Sequence, residues 1–80
     1  MTLIWSPRFR REFSNLPASI KERAKKQIAF FIENSRHPSL QTHKMEGWPD
    51  IWEGRISGDY RFTFLKQDDT YTLRRIGPHN

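Results

Sequence analysis

The sequence predicts an α+β domain in which a helical hairpin packs on one face of a largely antiparallel four-stranded sheet. Three observations lead to this prediction: a short β-forming segment opens the chain, two amphipathic helical patterns follow it, and three strand-like segments separated by turn residues come after them. The order β-α-α-β-β-β favours helices segregated to one face of a sheet of hairpins. Eighty residues suffice for one hydrophobic core, so residues 1–80 are treated as a single domain.

The first strand and the first helix are marked by local signals. Residues 2–5 are rich in β-forming types, which predicts a short strand. Ser6 followed by Pro7 is typical of a helix N-cap and a first helical position. The apolar positions that follow have the spacing of one helical face: Phe9, Phe13 and Leu16.

A second helix is predicted after Pro17, which interrupts the first pattern. Ser19 and Glu22 have the spacing of a capping box, and the helical pattern then continues to about Asn34. The predicted apolar stripe of this helix consists of Ile20, Ala24, Ile28, Phe31 and Ile32.

The second half of the chain begins with an irregular segment and continues with strands. Residues 35–49 contain two prolines and a glycine, which predict a loop. Three apolar side chains are expected to anchor this loop on the domain: Leu40, Met45 and Trp48. Three strands are predicted after it, with turns at 57–59 and 67–69: residues 51–56, 60–66 and 70–76.

The register of the first hairpin predicts an arginine pair. A three-residue loop with Gly58 or Asp59 in the left-handed region would place Ile56 opposite Tyr60 and Arg55 opposite Arg61. The apolar side chains of these strands would then face the helices, and the arginines would point to the other face. Like charges facing each other destabilise a sheet, so the pair indicates an anionic ligand.

The sequence alone leaves alternatives to an anionic ligand at the arginine pair. Glu53 or Asp59 would neutralise the arginine pair without any ligand, and a two-residue turn would move the two arginines to opposite faces. Adjacent residues of a strand alternate between faces, so Arg74 and Arg75 are expected on opposite sides. His79 is expected either in solvent or beside the arginines, where an imidazole could act as acid or base.

The composition excludes several classes of protein. Without cysteine, neither a disulfide framework nor a zinc site with thiolate ligands is possible. The apolar runs are too short for a transmembrane helix, and the N-terminus lacks the features of a signal peptide, so we expect a cytoplasmic protein. The formal charge is +5, and residues 1–34 carry +4 of it. This excess is either a solvated helix surface or a surface for a polyanion or an acidic partner.

The sequence resembles the RelE/ParE superfamily of toxins from bacterial toxin–antitoxin systems, and within it the RelE- and YoeB-like mRNA interferases. The resemblance covers almost the whole chain and includes Ile-Trp-Glu-Gly-Arg-Ile-Ser-Gly-Asp-Tyr-Arg at 51–61 and Arg-Ile-Gly-Pro-His at 75–79. Its most specific part is the pattern Arg-Ile-x-x-x-Tyr-Arg at 55–61 followed by Gly-x-His at 77–79. Shorter matching segments lie upstream: Leu-Ile-Trp-Ser at 3–6, His-Pro-Ser-Leu at 37–40 and Lys-Met-Glu-Gly at 44–47.

The resemblance implies the fold predicted above and an activity. The expected activity is metal-independent endonucleolytic cleavage of mRNA, usually in the ribosomal A site, through attack of the ribose 2′-hydroxyl on the adjacent phosphate, without a cofactor. The implied partners are mRNA, the ribosome and a cognate antitoxin protein. Two other functions remain open: a ParE-like inhibitor of gyrase, and a catalytically weak family member that only binds protein or RNA.

The resemblance also implies roles for individual residues. Arg61 would stabilise the phosphate in the transition state, His79 would be an acid or base, and Arg55 and Arg75 would bind phosphate. The general base is left open among Glu53, Glu46 and His79. The cations expected to contact RNA or the ribosome lie on the helices: Arg10, Arg11, Lys21, Lys25 and Lys26. His37 and His43 are expected to be turn or packing residues.

Overall fold

The computed structural model describes residues 1–79, which form two helices and five strands. In chain order these are β1 Thr2–Trp5, α1 Pro7–Ser14, α2 Ala18–Glu33, β2 His43–Lys44, β3 Ile51–Arg55, β4 Tyr60–Gln67 and β5 Thr70–Pro78, with a 3₁₀ turn at Pro38–Leu40. The strands form one sheet in the order β1-β5-β4-β3-β2. Strand β1 runs parallel to β5, and the other neighbours are antiparallel.

The predicted α+β fold, with a helical hairpin on one face of a largely antiparallel sheet, is confirmed. The sheet has one strand more than expected, because two residues of the predicted loop pair with β3. His43 lies opposite Glu53, and Lys44 lies opposite Trp52. The loop is anchored as predicted by Leu40, which is fully buried.

The hydrophobic core lies between the helices and one face of the sheet. Phe31 of α2 packs edge-on against Phe62 and Phe64 of β4, with ring centroids 5.5 and 4.7 Å apart. Phe9 of α1 is fully buried in the same cluster. Each of these side chains contributes about 1.5–3 kcal/mol through burial, so the core of a chain this short depends on its aromatic residues.

Helix α1 begins as predicted. The Ser6 hydroxyl accepts a hydrogen bond from the backbone N–H of Phe9 at 3.1 Å, and Pro7 occupies the first helical position. The same hydroxyl donates to the carbonyl oxygen of Arg74 at 3.2 Å. The N-cap therefore also fixes the start of α1 against β5.

Helix α2 differs from the prediction at its start and on its buried face. It begins at Ala18 after Pro17, which provides no side-chain cap, so the capping box expected at Ser19 is wrong. Ile32 is 51% exposed, whereas Gln27 is only 1% exposed. Gln27 lies in register with the buried side chains of this helix, which recur at spacings of three and four residues: Ala24, Gln27, Ile28 and Phe31.

Gln27 is buried because three hydrogen bonds satisfy its amide. Its Nε2 donates to the carbonyl oxygens of Arg55 at 2.9 Å and of Ser39 at 3.2 Å, and its Oε1 accepts from the Ser39 hydroxyl at 3.4 Å. A buried amide is tolerated only with such partners. Gln27 therefore joins α2 to both the 3₁₀ turn and the end of β3.

The predicted register of the first hairpin is confirmed, although the turn that produces it differs. Arg55 lies opposite Arg61, and the backbone N–H of Ile56 donates to the carbonyl oxygen of Tyr60. Neither Gly58 nor Asp59 has a positive φ, so the expected left-handed residue is absent from this turn. The pairing of the flanking strands, and not a particular turn type, fixes the register here.

The expectation that Arg74 and Arg75 point to opposite faces is wrong. A register shift between β4 and β5 pairs Thr63 with Arg75 and the next residue, Phe64, with Leu73, which leaves Arg74 as an extra residue. This is a β-bulge, which interrupts the alternation of side chains. The Arg74 guanidinium donates to the Thr63 hydroxyl at 3.4 Å, so both arginines reach the face opposite the helices.

No helix within residues 1–79 has the length and apolarity needed to cross a bilayer. The longest, α2, has 16 residues and carries charged side chains along its exposed side.

Candidate functional site

The candidate site lies on the sheet face that the helices leave uncovered, here called the open face. Alternation along the central strands places Glu53 and Arg55 of β3, Arg61 and Thr63 of β4, and Arg75 of β5 on this face. With Arg74, which reaches the same side through the bulge, the face combines four guanidinium groups with the carboxylate of Glu53. It has the composition of a surface that binds an anion beside a proton acceptor.

The two arginines of the first hairpin form one wall of an open cleft. Arg55 and Arg61 face each other across β3 and β4, and the cleft has a volume of about 280 Å³. Its other lining side chains are Gln41, His43, Glu53 and His79, together with Gly54. The cleft thus brings together four residues that the sequence singled out: Arg55, Arg61, Glu53 and His79.

Arg61 is held in place by its own loop. Its Nη1 donates to the carbonyl oxygens of Ser57 at 2.5 Å, Tyr60 at 3.0 Å and Gly58 at 3.2 Å. The partial negative charges of these carbonyls offset the repulsion that Arg55 exerts across the strands. The loop thereby orients a guanidinium whose Nε and Nη2 remain available to a ligand.

Glu53 pairs with a histidine from the neighbouring strand. Its Oε1 lies 3.4 Å from Nε2 of His43, while Nδ1 of His43 lies 3.2 Å from the carbonyl oxygen of Gln41. The expectation that His43 is a turn or packing residue is wrong, because His43 lies in strand β2 and its side chain is exposed. The side chain lines the cleft with the arginines. Within residues 1–79 the Glu53 carboxylate forms no ion pair with Arg55 or Arg61, and this imidazole is its nearest side-chain partner.

His79 lies beside the arginines, which was one of the two positions expected for it. Its backbone N–H donates to the carbonyl oxygen of Asp59 at 2.6 Å, which fixes this residue against the first hairpin. The residue is exposed and lines two adjoining clefts, one with Arg55 and one with Arg75. An imidazole in this position could exchange protons with a bound phosphate group.

Arg75 is oriented by a carboxylate from α1. Its Nη2 lies 3.1 Å from Oε2 of Glu12, and Oε1 of Glu12 accepts the backbone N–H of Ile76 at 3.1 Å. Burial raises the pKa of the Glu12 carboxyl, but the bond from Ile76 and the guanidinium groups of Arg75 and Arg8 outweigh it, so the pKa lies below its ordinary value. Glu12 thus satisfies a backbone N–H of β5 beyond the end of β1 and also orients Arg75.

The second cleft of the open face adjoins the first. It has a volume of about 400 Å³ and is lined by residues of three strands, α1 and the chain end: Glu12, Glu53, Arg61, Thr63, Arg75, Ile76, Gly77, Pro78 and His79. Because Glu53, Arg61 and His79 line both clefts, the two form one continuous site in which acidic, basic and titratable groups meet.

Two other sequence candidates lie outside this site. Glu46 is exposed in the loop after β2 and lines a separate groove with Lys44 and Trp48. His37 caps the 3₁₀ turn by accepting the backbone N–H of Ser39 and stacks on Phe30 at 4.1 Å. His37 is therefore the turn and packing residue that was expected.

The predicted RNA-binding cations of α2 lie on the opposite side of the molecule from the open face, because this helix covers the other face of the sheet. Lys25 pairs with Glu22 at 3.0 Å, and the Lys21 ammonium donates to the carbonyl oxygen of Ser14. Lys26 lies over the ring of Phe30 at 5.9 Å. Of the cations of α1, Arg11 is exposed and Arg10 donates to the carbonyl oxygen of Trp5.

Three functional candidates were missed by sequence reasoning: Glu12, His43 and Arg74. No local pattern distinguishes Glu12 as a site residue, since its partners on β5 are more than 60 residues away. Arg74 reaches the open face only through the bulge, and His43 reaches the cleft only because β2 pairs with β3. Within residues 1–79, no three His, Asp or Glu side chains are grouped so as to hold a metal ion.

The sequence matches no protein-family model and no curated protein sequence. The fold, in contrast, matches solved structures over nearly the whole chain. It is similar to a chain of the RelB–RelE antitoxin–toxin complex from Methanococcus jannaschii, with 23% identity, a TM-score of 0.77 and coverage of 94% of this chain and 88% of that chain.

Two further structures agree with this result. A chain of the intact E. coli RelBE toxin–antitoxin complex has 22% identity and a TM-score of 0.76, with 99% of this chain and 96% of that chain covered. The YoeB/ParE toxin from Agrobacterium tumefaciens has 15% identity and a TM-score of 0.79, and both chains are covered completely. The chain therefore has the fold of the RelE/ParE toxins, which confirms the resemblance at the level of fold.

Proposed function

We propose that this protein is the toxin of a type II toxin–antitoxin system and that it inhibits translation by cleaving mRNA. The observation that carries the proposal is the arginine-rich open face in a RelE-like fold. Arg55 and Arg61 face each other there, and Arg75 and His79 lie beside them. A like-charge pair that costs stability in a small domain is explained by an anionic ligand.

The proposed reaction needs only groups of the open face and the RNA itself. The 2′-oxygen of a ribose forms a bond to the adjacent phosphorus, and the bond from phosphorus to the 5′-oxygen of the next nucleotide breaks. The 2′-proton goes to a base, and the leaving 5′-oxygen takes a proton from an acid. The products are a 2′,3′-cyclic phosphate and a 5′-hydroxyl.

The geometry supports an assignment of these roles. Arg61 is preorganised by three loop carbonyls and would stabilise the charge on the phosphoryl oxygens, with Arg55 and Arg75 binding the phosphate. Glu53 lines both clefts and is assigned as the base in preference to Glu46, which lies in a separate groove. His79 is then assigned as the acid.

We further propose that mRNA is bound in the ribosomal A site in the cytoplasm. The exposed cations of both helices would contact ribosomal RNA through its phosphates, since such contacts position a protein without reading sequence. The neutralising antitoxin would present an acidic, extended segment to the same basic surfaces. A short acidic protein encoded next to this one would support the pairing.

The test is induced expression in bacteria with mapping of 5′ ends on abundant mRNAs. The wild type is expected to stop growth and cut mRNA, while Arg61→Ala and His79→Ala lose cleavage. Arg36→Ala removes an exposed cation after the end of α2 that lines none of the open-face clefts, so it serves as the charge-matched control and keeps the same cleavage pattern. Equal cleavage by all variants would overturn the assigned site, and intact mRNA with a DNA-damage response would favour a gyrase inhibitor instead.

One observation favours a second candidate, a family member that binds RNA or protein without cutting it. Two of the site's cations are already engaged, Arg75 by Glu12 and Arg61 by loop carbonyls. A protein of this kind would bind RNA in vitro and leave growth and mRNA unchanged when overexpressed.

A further inference from the structure

We propose that Trp48 forms a nucleobase-binding subsite, which takes an unpaired base of single-stranded RNA next to the open face. The subsite rests on the proposed function, since it extends the contact with RNA from phosphate to base. Its parts are an exposed indole on an ordered loop, an apolar floor and two arginines at its rim.

The loop that carries Trp48 is held by its own backbone. Between the ends of the loop, the N–H of Met45 donates to the carbonyl oxygen of Ile51 at 2.9 Å. Trp48 accepts from Ile51 and donates to Met45, both at 3.3 Å. Two residues with positive φ, Gly47 and Asp50, allow the tight path of the chain. The indole is therefore presented from an ordered turn.

Trp48 differs from the other two tryptophans in its exposure. It is 62% exposed, whereas Trp5 and Trp52 are partly buried and pack on phenylalanine rings of the core. The expectation that Trp48 anchors the loop is therefore wrong. A single exposed apolar side chain is common in proteins, so its exposure alone indicates nothing. Its surroundings do indicate a ligand.

The indole borders a cleft of about 260 Å³. Ile51 and Met45 line it with apolar surface, and its remaining side chains are Thr63, Arg74 and Arg75. Thr63 and Arg75 also line the neighbouring cleft that contains Arg61 and His79. A ligand that fills both clefts would thus contact an apolar, aromatic surface at one end and the arginine cluster at the other.

A nucleotide of single-stranded RNA has both of the features that these clefts require. Its base stacks on an aromatic side chain and its phosphate pairs with arginines, the combination by which proteins bind single strands. The bulge that brings Arg74 to the same face as Arg75 increases the positive charge at the rim. An acidic peptide would use these charges but leave the indole without a planar partner.

The test measures binding of a labelled, short 2′-O-methyl oligoadenosine by fluorescence anisotropy. This RNA cannot be cut, because its 2′-oxygens are blocked. Trp48→Ala is expected to weaken binding by roughly fivefold to a hundredfold, the range for loss of one base–aromatic stack. Trp48→Phe should retain most of the affinity. Ile32→Ala removes a comparably exposed apolar side chain from the opposite side of the molecule and serves as the control.

A second RNA with abasic positions decides whether a base is the ligand. Its affinity for the wild type should fall to the level of Trp48→Ala, and the substitution should then have no further effect. Unchanged binding of the intact RNA by Trp48→Ala, or an equal loss with both RNAs, would overturn the subsite. Failure of the wild type to cut mRNA in cells would overturn the proposed nuclease but not this site, because the binding assay involves no cleavage.

Discussion

Replacement of Gln27 by leucine tests whether one buried amide holds the site to the helices. Leucine is similar in size but cannot hydrogen-bond, so the carbonyl oxygens of Ser39 and Arg55 lose their donors. Loss of the donor costs about 1 kcal/mol at each of the two half-buried carbonyls, and loss of the acceptor for the Ser39 hydroxyl costs about a few tenths more. The free energy of unfolding should therefore fall by about 2–3 kcal/mol. That is a large share of the roughly 4–12 kcal/mol expected for a chain of this length.

The assay is urea unfolding followed by circular dichroism, with thermal unfolding as a second readout. For Gln27→Leu we expect a lower urea concentration at the unfolding midpoint, with an unchanged dependence of the unfolding free energy on urea. The melting temperature should fall by about 10 °C or more. Lys25→Leu introduces the same side chain at an exposed position of the same helix and should change stability by less than about 0.5 kcal/mol. A loss for Gln27→Leu no larger than that of the control would refute the reasoning.

Three further predictions concern the open face and its support. The pKa of the Glu12 carboxyl is lower in the folded protein than its ordinary value of 4.5. The ionised carboxylate therefore contributes its full stabilisation above pH 4.5, and this stabilisation is lost as the pH falls through the pKa of the folded state. Glu12→Gln should therefore lower the melting temperature at neutral pH and make it depend less on pH below 4.5. An unchanged dependence of the melting temperature on acid pH would contradict this role of Glu12. A Cβ at Gly54 would overlap the Phe62 ring, whereas one at Gly58 would contact nothing, so Gly54→Ala should cost about 1–3 kcal/mol in urea unfolding and Gly58→Ala almost nothing. Arg55→Gln should leave the free energy of unfolding unchanged or slightly raised, since it relieves a like-charge pair, and should weaken RNA binding in a filter assay; a clear loss of stability would show that the pair is structural.

The arginine pair also explains why Arg61 has two roles. The loop carbonyls that it binds reduce the cost of placing a second guanidinium opposite Arg55. The same bonds fix the side chain before any ligand arrives, which is the property needed for electrostatic stabilisation of a transition state. A variant that loses Arg61 should therefore be checked for folding before its loss of activity is assigned to chemistry.

The sequence by itself determined the parts of this protein that depend on neighbours along the chain. The N-cap at Ser6 and the strand segments follow from local signals, and the structure confirms them. The Arg55–Arg61 register is also confirmed, although the left-handed turn residue from which it was predicted is absent. The register and the resemblance to a toxin family pointed to Arg55, Arg61, Glu53 and His79, and the structure brings all four to one cleft. Their roles in catalysis stay predictions.

Only the tertiary structure decided the features that depend on contacts between distant segments. Gln27 is buried because its partners lie on β3 and in the 3₁₀ turn, and a helical pattern of apolar residues cannot reveal a satisfied amide. The bulge at Arg74 moves one side chain to the other face, although the strand pattern predicts strict alternation. Glu12 meets Arg75 across more than 60 residues of sequence, and this contact exists only once α1 is packed against β5.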